Sequence, residues 1–225
     1  MASFSGQSSE QWFERWREGR IGFHSDSVQP LLARYWSRLA VAHRARVLLP
    51  LCGRSGDIDW LARQGHSVLG VELVEDAIRG WFETQGEELP VAVSRTNFKR
   101  FESPERPDRA AVTLEVGNFF HLEAGLSDGI DAFYDRAALI ALPEAARQRY
   151  AFRLAELCRP GVEGLLISMV RDEKRDEGPP HVVTDEEIQR LFAANFVLEK
   201  LGEQRDERGM TDIAWRLQRK APLAC

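Results

Sequence analysis

The feature that most limits the possible folds is the alternation of strands and helices between residues 46 and 85. An apolar strand, VLLP, is followed by a glycine-containing turn, a helix, a second strand, SVLGVEL, and a further helix near Ala77–Gln85. Because parallel strands need a long crossover between them, this order predicts two parallel neighbours with a helix packed on the sheet. The segment therefore indicates an α/β fold with a Rossmann-like core.

The rest of the chain continues this alternation and departs from it only at the end. We expect further strands at Val112–Val116, Ile130–Tyr134 and Gly164–Val170, and helices over Glu144–Leu157 and from Thr184 to about Ala194. The last two strands, Phe196–Leu201 and Ile213–Leu217, have no helix between them, which predicts an antiparallel hairpin. The fold expected is a mostly parallel seven-stranded sheet with helices on both faces and a C-terminal antiparallel hairpin.

The region before the first strand is predicted to contain two short helices. Trp12, Phe13 and Trp16 fall on one face of the first helix, and Pro30 opens the second. We interpret residues 8–40 as an N-terminal helical lid region. The whole chain, 225 residues of which 44% are hydrophobic and 29% charged, is expected to form a single domain.

Composition excludes several classes of function. The net charge of −5, with basic and acidic residues interleaved, argues against a nucleic-acid partner. No apolar run reaches the roughly 18 residues needed to span a membrane, and no secretory leader is evident. The three cysteines, Cys52, Cys158 and Cys225, have neither disulfide-framework nor metal-ligand spacing. We expect a cytoplasmic monomer that binds a small molecule and no metal.

The carboxyl ends of the first two strands are the expected ligand site. In open parallel sheets ligands bind at this edge, which brings the loop Leu51–Gly56 and Glu72 to the same crevice. An acidic residue about twenty positions beyond a glycine turn can accept hydrogen bonds from a ribose diol. Both NAD and S-adenosylmethionine carry that diol, and an ordinary tight turn with an exposed glutamate would give the same pattern.

The turn LCGRSG favours S-adenosylmethionine over NAD. It contains Gly53 and Gly56, but Leu51 stands where a dinucleotide fingerprint needs its first glycine. S-adenosylmethionine has no phosphate, so a site for it needs no pyrophosphate cradle, and acidic or aromatic surroundings suit its sulfonium cation.

Each of the other candidate site residues has two possible roles. Asp135 and Arg136 end a strand and could form a local salt bridge or contact a ligand. Asn118 could reach an adenine or cap the next helix. The aromatic residue Phe23, like Trp16, could belong to the core or to a lid over the site.

Four motifs in order carry a family resemblance: WFERWREGRIGFH, VLLPLCGRSGDIDWLARQGHSVLGVEL, YDRAALIALP and GPPHVVTDEEIQRLF. Together they resemble the bacterial branch of the thiopurine S-methyltransferase family. The resemblance implies S-adenosylmethionine as cofactor, and Trp16, Leu51, Glu72 and Arg136 match the family's cofactor-contacting positions. We also predict Gly53, Asn118 and Phe119 as cofactor-binding residues. The resemblance further implies that Phe23 is a substrate-side aromatic. Bacterial relatives commonly have Gly-Asp-Phe-Phe where this chain has Gly117-Asn118-Phe119-Phe120.

The chemistry implied by the resemblance requires few catalytic groups. Methyl transfer to sulfur is an in-line displacement at an activated methyl group, so the enzyme mainly positions the reactants and excludes water. A thiol reacts as its anion, which a nearby cation would favour. Arg136 is the candidate catalytic residue for this role, and Arg136 and Arg216 are candidates for binding the substrate.

The function predicted is therefore methyl transfer from S-adenosylmethionine to aromatic or heterocyclic thiols such as thiopurines. Broad acceptance in the family extends the expectation to inorganic selenium or tellurium species. A thiocyanate or halide methyltransferase is the near alternative. An NAD-dependent oxidoreductase and a non-catalytic cofactor-binding protein are the alternatives from other classes.

Overall fold

A computed structural model describes residues 9–21, 25–123, 129–171 and 178–221. The chain divides into two compact units. The first consists of Met1–Val28 and His43–Leu126, and the second of Gln29–Ala42 and Ser127–Cys225. The predicted lid region, residues 8–40, is therefore divided between the units after Val28.

The structure contains the helices and strands predicted from the sequence, in the predicted order, together with some that were not predicted. The α-helices are α1 (Ser9–Arg17), α2 (Pro30–Tyr35), α3 (Gly56–Arg63), α4 (Glu75–Thr84), α5 (Ala138–Ala141), α6 (Glu144–Leu157) and α7 (Asp185–Phe192). The strands are β1 (Arg46–Pro50), β2 (Ser67–Glu72), β3 (Val93–Ser94), β4 (Phe98–Ser103), β5 (Val112–Gly117), β6 (Ala132–Asp135), β7 (Glu163–Arg171), β8 (Phe196–Arg205) and β9 (Met210–Arg219). Two short 3-10 helices cover Trp36–Arg38 and Phe119–His121.

The first unit contains five strands in the order β3-β4-β5-β2-β1. Strands β1, β2 and β5 are parallel, with Pro50 opposite Val71 and Glu72 opposite Val116. This register places the carboxyl ends of the three strands at one edge. Strands β3 and β4 run antiparallel, β4 pairing with β5 and β3 with β4.

The second unit contains four strands in the order β6-β7-β9-β8. Strands β6 and β7 are parallel, whereas β9 is antiparallel to both β7 and β8. The C-terminal hairpin predicted from the sequence is confirmed, and both of its strands are longer than expected. The structure also confirms the predicted start of α7, because the Thr184 hydroxyl accepts a hydrogen bond from the Glu187 N–H at 3.3 Å.

The expectation of a mostly parallel seven-stranded sheet is wrong in its details. The described residues form nine strands, and within the units three strand pairings are parallel and four antiparallel. The unexpected strands are β3 and β4. The sequence of β4, FKRFES, does not alternate between apolar and polar residues, so it gave no strand signal. In the structure two of its charged residues form ion pairs with other elements, Lys99 with Glu75 and Arg100 with Glu115.

Both units bury large apolar side chains on the faces of their strands. Trp81 and Phe82 are buried in the first unit, and Phe133, Tyr150 and Phe192 in the second. Fully burying one such side chain stabilises a fold by roughly 1.5–3 kcal/mol. Within the described ranges, no helix is long and apolar enough to span a membrane, and no cluster of acidic, histidine and cysteine side chains could hold a metal ion.

Candidate cofactor-binding site

The candidate site lies at the carboxyl edge of β1, β2 and β5 in the first unit. Leu51 directly follows β1, Leu73 follows β2, and Asn118 follows β5. Since β2 pairs with both β1 and β5, three chain segments leave the sheet side by side at this edge. This is the position at which open α/β sheets bind ligands.

Glu72, the last residue of β2, accepts hydrogen bonds from the segments that follow β1 and β2. Its Oε2 atom accepts a hydrogen bond from the Gly53 N–H at 2.9 Å, and its Oε1 atom accepts from the N–H groups of Leu73 at 2.8 Å and Val74 at 2.9 Å. The side chain is only 7% exposed, so the alternative of an ordinary exposed glutamate is wrong. Burial raises the pKa of Glu72, and the three backbone donors oppose that rise.

The hydrogen bonds of Glu72 leave capacity for one more donor. An ionised carboxylate has about four acceptor positions. Two are used on Oε1 and one on Oε2 by the described backbone. One hydroxyl donor, such as one arm of a ribose diol, can therefore bind at Oε2 without displacing a backbone bond.

The two glycines of the loop accommodate the N-terminal segment. A Cβ on Gly53 would lie 3.5 Å from Cζ2 of Trp16, so the Trp16 ring packs directly on the loop. A Cβ on Gly56 would lie 2.2 Å from the backbone oxygen of Asp26, so any side chain there would force the backbone to shift. The spacing G-x-x-G thus reflects close packing of residues 16 and 26 on the loop, a role that the sequence pattern did not indicate.

Leu51 has a strained backbone at the start of the loop. Its φ angle is +47°, in the left-handed region that favours glycine. The position where a dinucleotide fingerprint has its first glycine therefore has glycine-like geometry with a leucine side chain in place. Strained non-glycine residues cluster at functional sites, which supports the prediction that Leu51 lines a ligand site.

The neighbouring thiol of Cys52 is unsuited to nucleophilic chemistry. Burial, and secondarily the charge of Glu72, raise the pKa of this thiol well above its ordinary value. A thiol that stays protonated is a poor nucleophile.

Asn118 caps the 3-10 helix that follows β5. Its Oδ1 atom accepts a hydrogen bond from the Phe120 N–H at 3.0 Å, so the capping alternative is confirmed. The adenine contact, which would use the Nδ2 end of the same amide, stays a prediction. Phe119 is buried and meets the Phe120 ring edge-on at 6.2 Å, a packing role that does not exclude a contact with cofactor.

In the second unit, Asp135 caps α5. The carboxylate, 0% exposed, accepts hydrogen bonds from the N–H groups of Ala138 at 3.0 Å and Leu139 at 3.4 Å, and from the Tyr150 hydroxyl at 2.7 Å. Burial raises the pKa of Asp135 to about 6, although these donors act in the opposite direction. The bonds of Asp135 are therefore made to its own helix and to Tyr150, and a local salt bridge with Arg136 is not its role.

Arg136 follows Asp135 and is half-buried. Burial raises the pKa of Asp212 of β9; the hydrogen bond that Nε2 of Gln29 donates to it at 2.7 Å and the charge of Arg136 oppose this rise. Neither Asp212 nor Gln29 was predicted as part of a site. No local motif marks them, because they lie 183 positions apart in the chain.

Arg216 is engaged in ion pairs on the hairpin. It bonds to Glu163 through Nε at 2.9 Å and through Nη2, and to Glu199 through Nη1 at 3.0 Å. Glu163 is 2% exposed, so Arg216 provides the counter-charge for a buried carboxylate. Arg216 therefore belongs to this cluster, and its role as a substrate-binding residue stays a prediction. Phe23, the predicted substrate-side aromatic, lies outside the described residues.

Comparison with known proteins identifies the family. The family described as thiopurine S-methyltransferase (TPMT) matches residues 7–217. The thiopurine S-methyltransferase of Pseudomonas fluorescens (strain Pf0-1) is 43% identical over 200 residues, covering 89% of this chain and 88% of that protein. The probable thiopurine S-methyltransferase of Yarrowia lipolytica is 39% identical over 201 residues, covering 89% of this chain and 91% of that protein.

Solved structures show the same fold at low identity. The 1,6-didemethyltoxoflavin-N1-methyltransferase of Burkholderia thailandensis, with bound S-adenosylhomocysteine, has a TM-score of 0.64 at 19% identity and covers 95% of this chain and 87% of its own. The N-methyltransferase NodS of Bradyrhizobium japonicum WM9 has a TM-score of 0.64 at 12% identity and covers 95% of this chain and 99% of its own. The chain has the α/β methyltransferase fold with a mixed sheet, and it belongs to the thiopurine S-methyltransferase family of S-adenosylmethionine-dependent enzymes.

Proposed function

We propose that this protein methylates the sulfur of aromatic or heterocyclic thiols, thiopurines among them. The observation that carries the proposal is the buried Glu72 carboxylate, held by the Gly53 N–H beside the Trp16 ring at the ligand-binding edge of the sheet. Membership of the thiopurine S-methyltransferase family supports sulfur as the methyl acceptor.

The residues at this edge fit S-adenosylmethionine. The remaining acceptor position on Glu72 suits a ribose hydroxyl, and the aromatic ring of Trp16 with the nearby carboxylate suits a cationic sulfonium. The residues proposed to hold the cofactor are Trp16, Leu51, Gly53, Glu72, Asn118, Phe119 and Arg136. When bound, the cofactor supplies a methyl group that its sulfonium centre has already activated for displacement.

The remaining work of the protein is positioning. Trp16 contacts Gly53 of the loop, and we propose that it helps to exclude water from the bound cofactor. Arg136 is proposed to favour the anionic form of the thiol by placing a positive charge near the sulfur, which lowers the thiol pKa. Phe23 is proposed to contact the aromatic part of the substrate. No nucleophilic residue of the protein is required, in agreement with the raised pKa of Cys52.

A panel assay with S-adenosylmethionine carrying a labelled methyl group tests the proposal. The acceptors are 6-mercaptopurine, thiophenol, thiocyanate, iodide and tellurite, and labelled products are identified by mass spectrometry. We expect the two aromatic thiols to give S-methyl products at rates above those of the three inorganic acceptors. Preferential methylation of thiocyanate or iodide would replace the proposal with an anion methyltransferase.

Tellurite methylation alongside thiol methylation would extend the proposal to metalloid species. Binding of S-adenosylhomocysteine without methylation of any acceptor would favour a non-catalytic cofactor-binding protein. Stabilisation by NADH without stabilisation by S-adenosylhomocysteine would revive the oxidoreductase alternative.

A further inference from the structure

A glycine inside β2 makes room for the loop that follows β1. Gly70 lies two residues before Glu72, and a Cβ there would lie 2.8 Å from Cys52 Sγ and 2.6 Å from Leu114 Cδ2. Both distances are shorter than real contacts of a Cβ atom. Cys52 and Leu114 are buried, at 8% and 0% exposed. A side chain on residue 70 would therefore displace them.

Cys52 connects this contact to the backbone of the loop. Its N–H donates to the Val71 carbonyl at 3.1 Å, and the N–H of the next residue, Gly53, donates to Glu72 Oε2 at 2.9 Å. The Cys52 side chain thus packs on residue 70 while the two N–H groups bond to residues 71 and 72. Three contacts with consecutive residues of one strand fix the position of the loop on β2.

The backbone on either side of Cys52 has little freedom to adjust. Leu51 has a φ of +47° and Gly53 a φ of +55°, both in the left-handed region. Because Cys52 is buried and protein interiors are close-packed, its thiol has little room to turn away from β2. A displacement of this thiol is therefore transmitted to the loop backbone and to the Gly53 N–H.

We infer that Gly70 is a positioning residue for the cofactor. Its lack of a side chain lets Cys52 pack on β2, which aligns the Gly53 N–H with Glu72 and so holds the carboxylate that is proposed to bind the ribose. The inference rests on the proposed function in that one respect. A loop that is already in place binds a ligand more tightly than one that must first be ordered.

Gly70→Ala tests the positioning role. The added Cβ overpacks the contact with Cys52 and shifts the loop, and binding of the cofactor must then restore the loop against the cost of overpacking. We expect the Kd for S-adenosylhomocysteine, measured by calorimetry, to rise by at least about tenfold. The KM for S-adenosylmethionine is expected to rise in parallel, while the KM for the thiol changes by less than about twofold.

Second substitutions distinguish a shift of the loop from overpacking of the core. Cys52→Ala in the Gly70→Ala protein removes Sγ, and we expect the Kd to return to within about threefold of that of Cys52→Ala alone. Leu114→Val in the Gly70→Ala protein relieves only the contact with β5, and we expect the Kd to stay raised. Equal rescue by both would overturn the positioning role, because the effect would then follow core packing.

Gly164→Ala is the matched control in the second unit. Gly164 lies on β7, and a Cβ there would overlap the Phe133 ring, so this variant also overpacks a strand glycine. We expect a loss of stability in urea denaturation, with a Kd for S-adenosylhomocysteine within about twofold of wild type. A rise in Kd equal to that of Gly70→Ala would overturn the inference, because overpacking of either unit would then weaken binding.

A variant on the loop side provides the test if Gly70→Ala does not fold. Cys52→Val adds one carbon atom to the side chain that packs on an unchanged Gly70, which is a smaller perturbation. We expect the Kd for S-adenosylhomocysteine to rise by at least about threefold. A wild-type Kd in Cys52→Val, like a wild-type Kd in Gly70→Ala, would overturn the positioning role.

The outcomes separate this role from the proposed function. A Kd that is unchanged in Gly70→Ala, together with thiol methylation by the wild-type protein, overturns the positioning role and leaves the proposed function intact. A raised Kd in Gly70→Ala, with no thiol methylated by the wild-type protein, overturns the proposed function and leaves the positioning role intact. Failure of the wild-type protein to bind S-adenosylhomocysteine overturns both.

Discussion

Two buried carboxylates, Glu72 and Asp135, each end a parallel strand, yet they stabilise different things. Glu72 in the first unit accepts hydrogen bonds from the two residues after its strand and from Gly53, 19 positions earlier in the chain. Asp135 in the second unit accepts from the first turn of its own following helix and from Tyr150. Glu72 holds the loop after β1 at the edge of the sheet where ligands bind, whereas Asp135 caps a helix.

The difference shows how an acid at a strand end can be assigned. Both residues are acidic, both are buried, and burial raises the pKa of each. Asp135 has a buried tyrosine hydroxyl as its third donor, so its environment is closed by the protein. The three donors to Glu72 are backbone N–H groups, and one of them belongs to the loop that contains the strained Leu51 and contacts the Trp16 ring. Partner identity, and not burial alone, separates the candidate ligand from the cap.

The largest effect is expected from Glu72→Ala. This change leaves three backbone N–H groups without their acceptor, which we expect to lower the free energy of unfolding by about 3–5 kcal/mol. It also removes the ribose acceptor, so we expect the affinity for S-adenosylhomocysteine to fall at least about 100-fold. Urea denaturation and calorimetry measure the two effects. An affinity within about threefold of wild type would break the assignment of Glu72 to the cofactor.

The second effect concerns pH and Asp135. The pKa of Asp135 is about 6 in the folded protein and about 3.8 in the unfolded chain. Between these values the folded state binds more protons, so the contribution of Asp135 to stability is complete below pH 4 and is lost as pH rises through about 6. The loss is about 3 kcal/mol, since one pKa unit corresponds to about 1.36 kcal/mol.

Asp135→Asn isolates this contribution. We expect the difference in unfolding free energy between wild type and Asp135→Asn to become less favourable to wild type by about 3 kcal/mol from pH 3 to pH 7. Chemical denaturation at several pH values measures it. A difference that stays constant across this range would show that Asp135 does not titrate there, and would remove one of the contrasts with an ordinary exposed acid.

A third prediction tests the packing of the loop against the N-terminal segment. Gly56→Ala places a Cβ 2.2 Å from the Asp26 backbone oxygen, and we expect it to destabilise the protein by about 2–3 kcal/mol as the backbone shifts. Gly86→Ala is the reference, because a Cβ there meets no atom within 4 Å and the left-handed φ of +65° costs only about 1 kcal/mol. Equal losses for both variants would show that Asp26 does not pack closely against Gly56.

The smallest effect is expected from Tyr150→Phe. It removes one hydrogen bond to Asp135, and we expect a loss of about 1–2 kcal/mol of stability with unchanged affinity for S-adenosylhomocysteine. This separation of stability from affinity is the counterpart of Glu72→Ala, which changes both. A large loss of cofactor affinity in Tyr150→Phe would show that the Asp135 cap of α5 also contributes to cofactor binding.

Local patterns in the sequence predicted most of the helices and strands and much of the cofactor edge. The alternation of strands and helices located β1, β2, β5, β6 and β7, and the helix Glu144–Leu157 was predicted with its observed bounds. The offset between the glycine turn and an acid singled out Glu72, because the distance along one βαβ unit is set by its geometry. Leu51, which stands where a dinucleotide fingerprint has its first glycine, is also the residue with the strained backbone.

What the sequence did not predict depends on contacts between distant segments. Strand β4 was missed because its charged residues are neutralised by partners on other elements. The pairing of Arg216 with Glu163 and Glu199 was not predicted, because it cannot be read from local spacing. Asp212 and Gln29 were missed for the same reason. Interactions of this kind carry no periodic or motif signal.

A crystal structure with bound S-adenosylhomocysteine would show directly whether Glu72 binds the cofactor. We expect the ribose at the carboxyl edge of β1, β2 and β5, with one hydroxyl within hydrogen-bond distance of Glu72 Oε2 while the Gly53 N–H keeps its bond to that carboxylate. A ribose bound away from Glu72, or a Glu72 carboxylate that makes only its three backbone hydrogen bonds, would rule out this assignment.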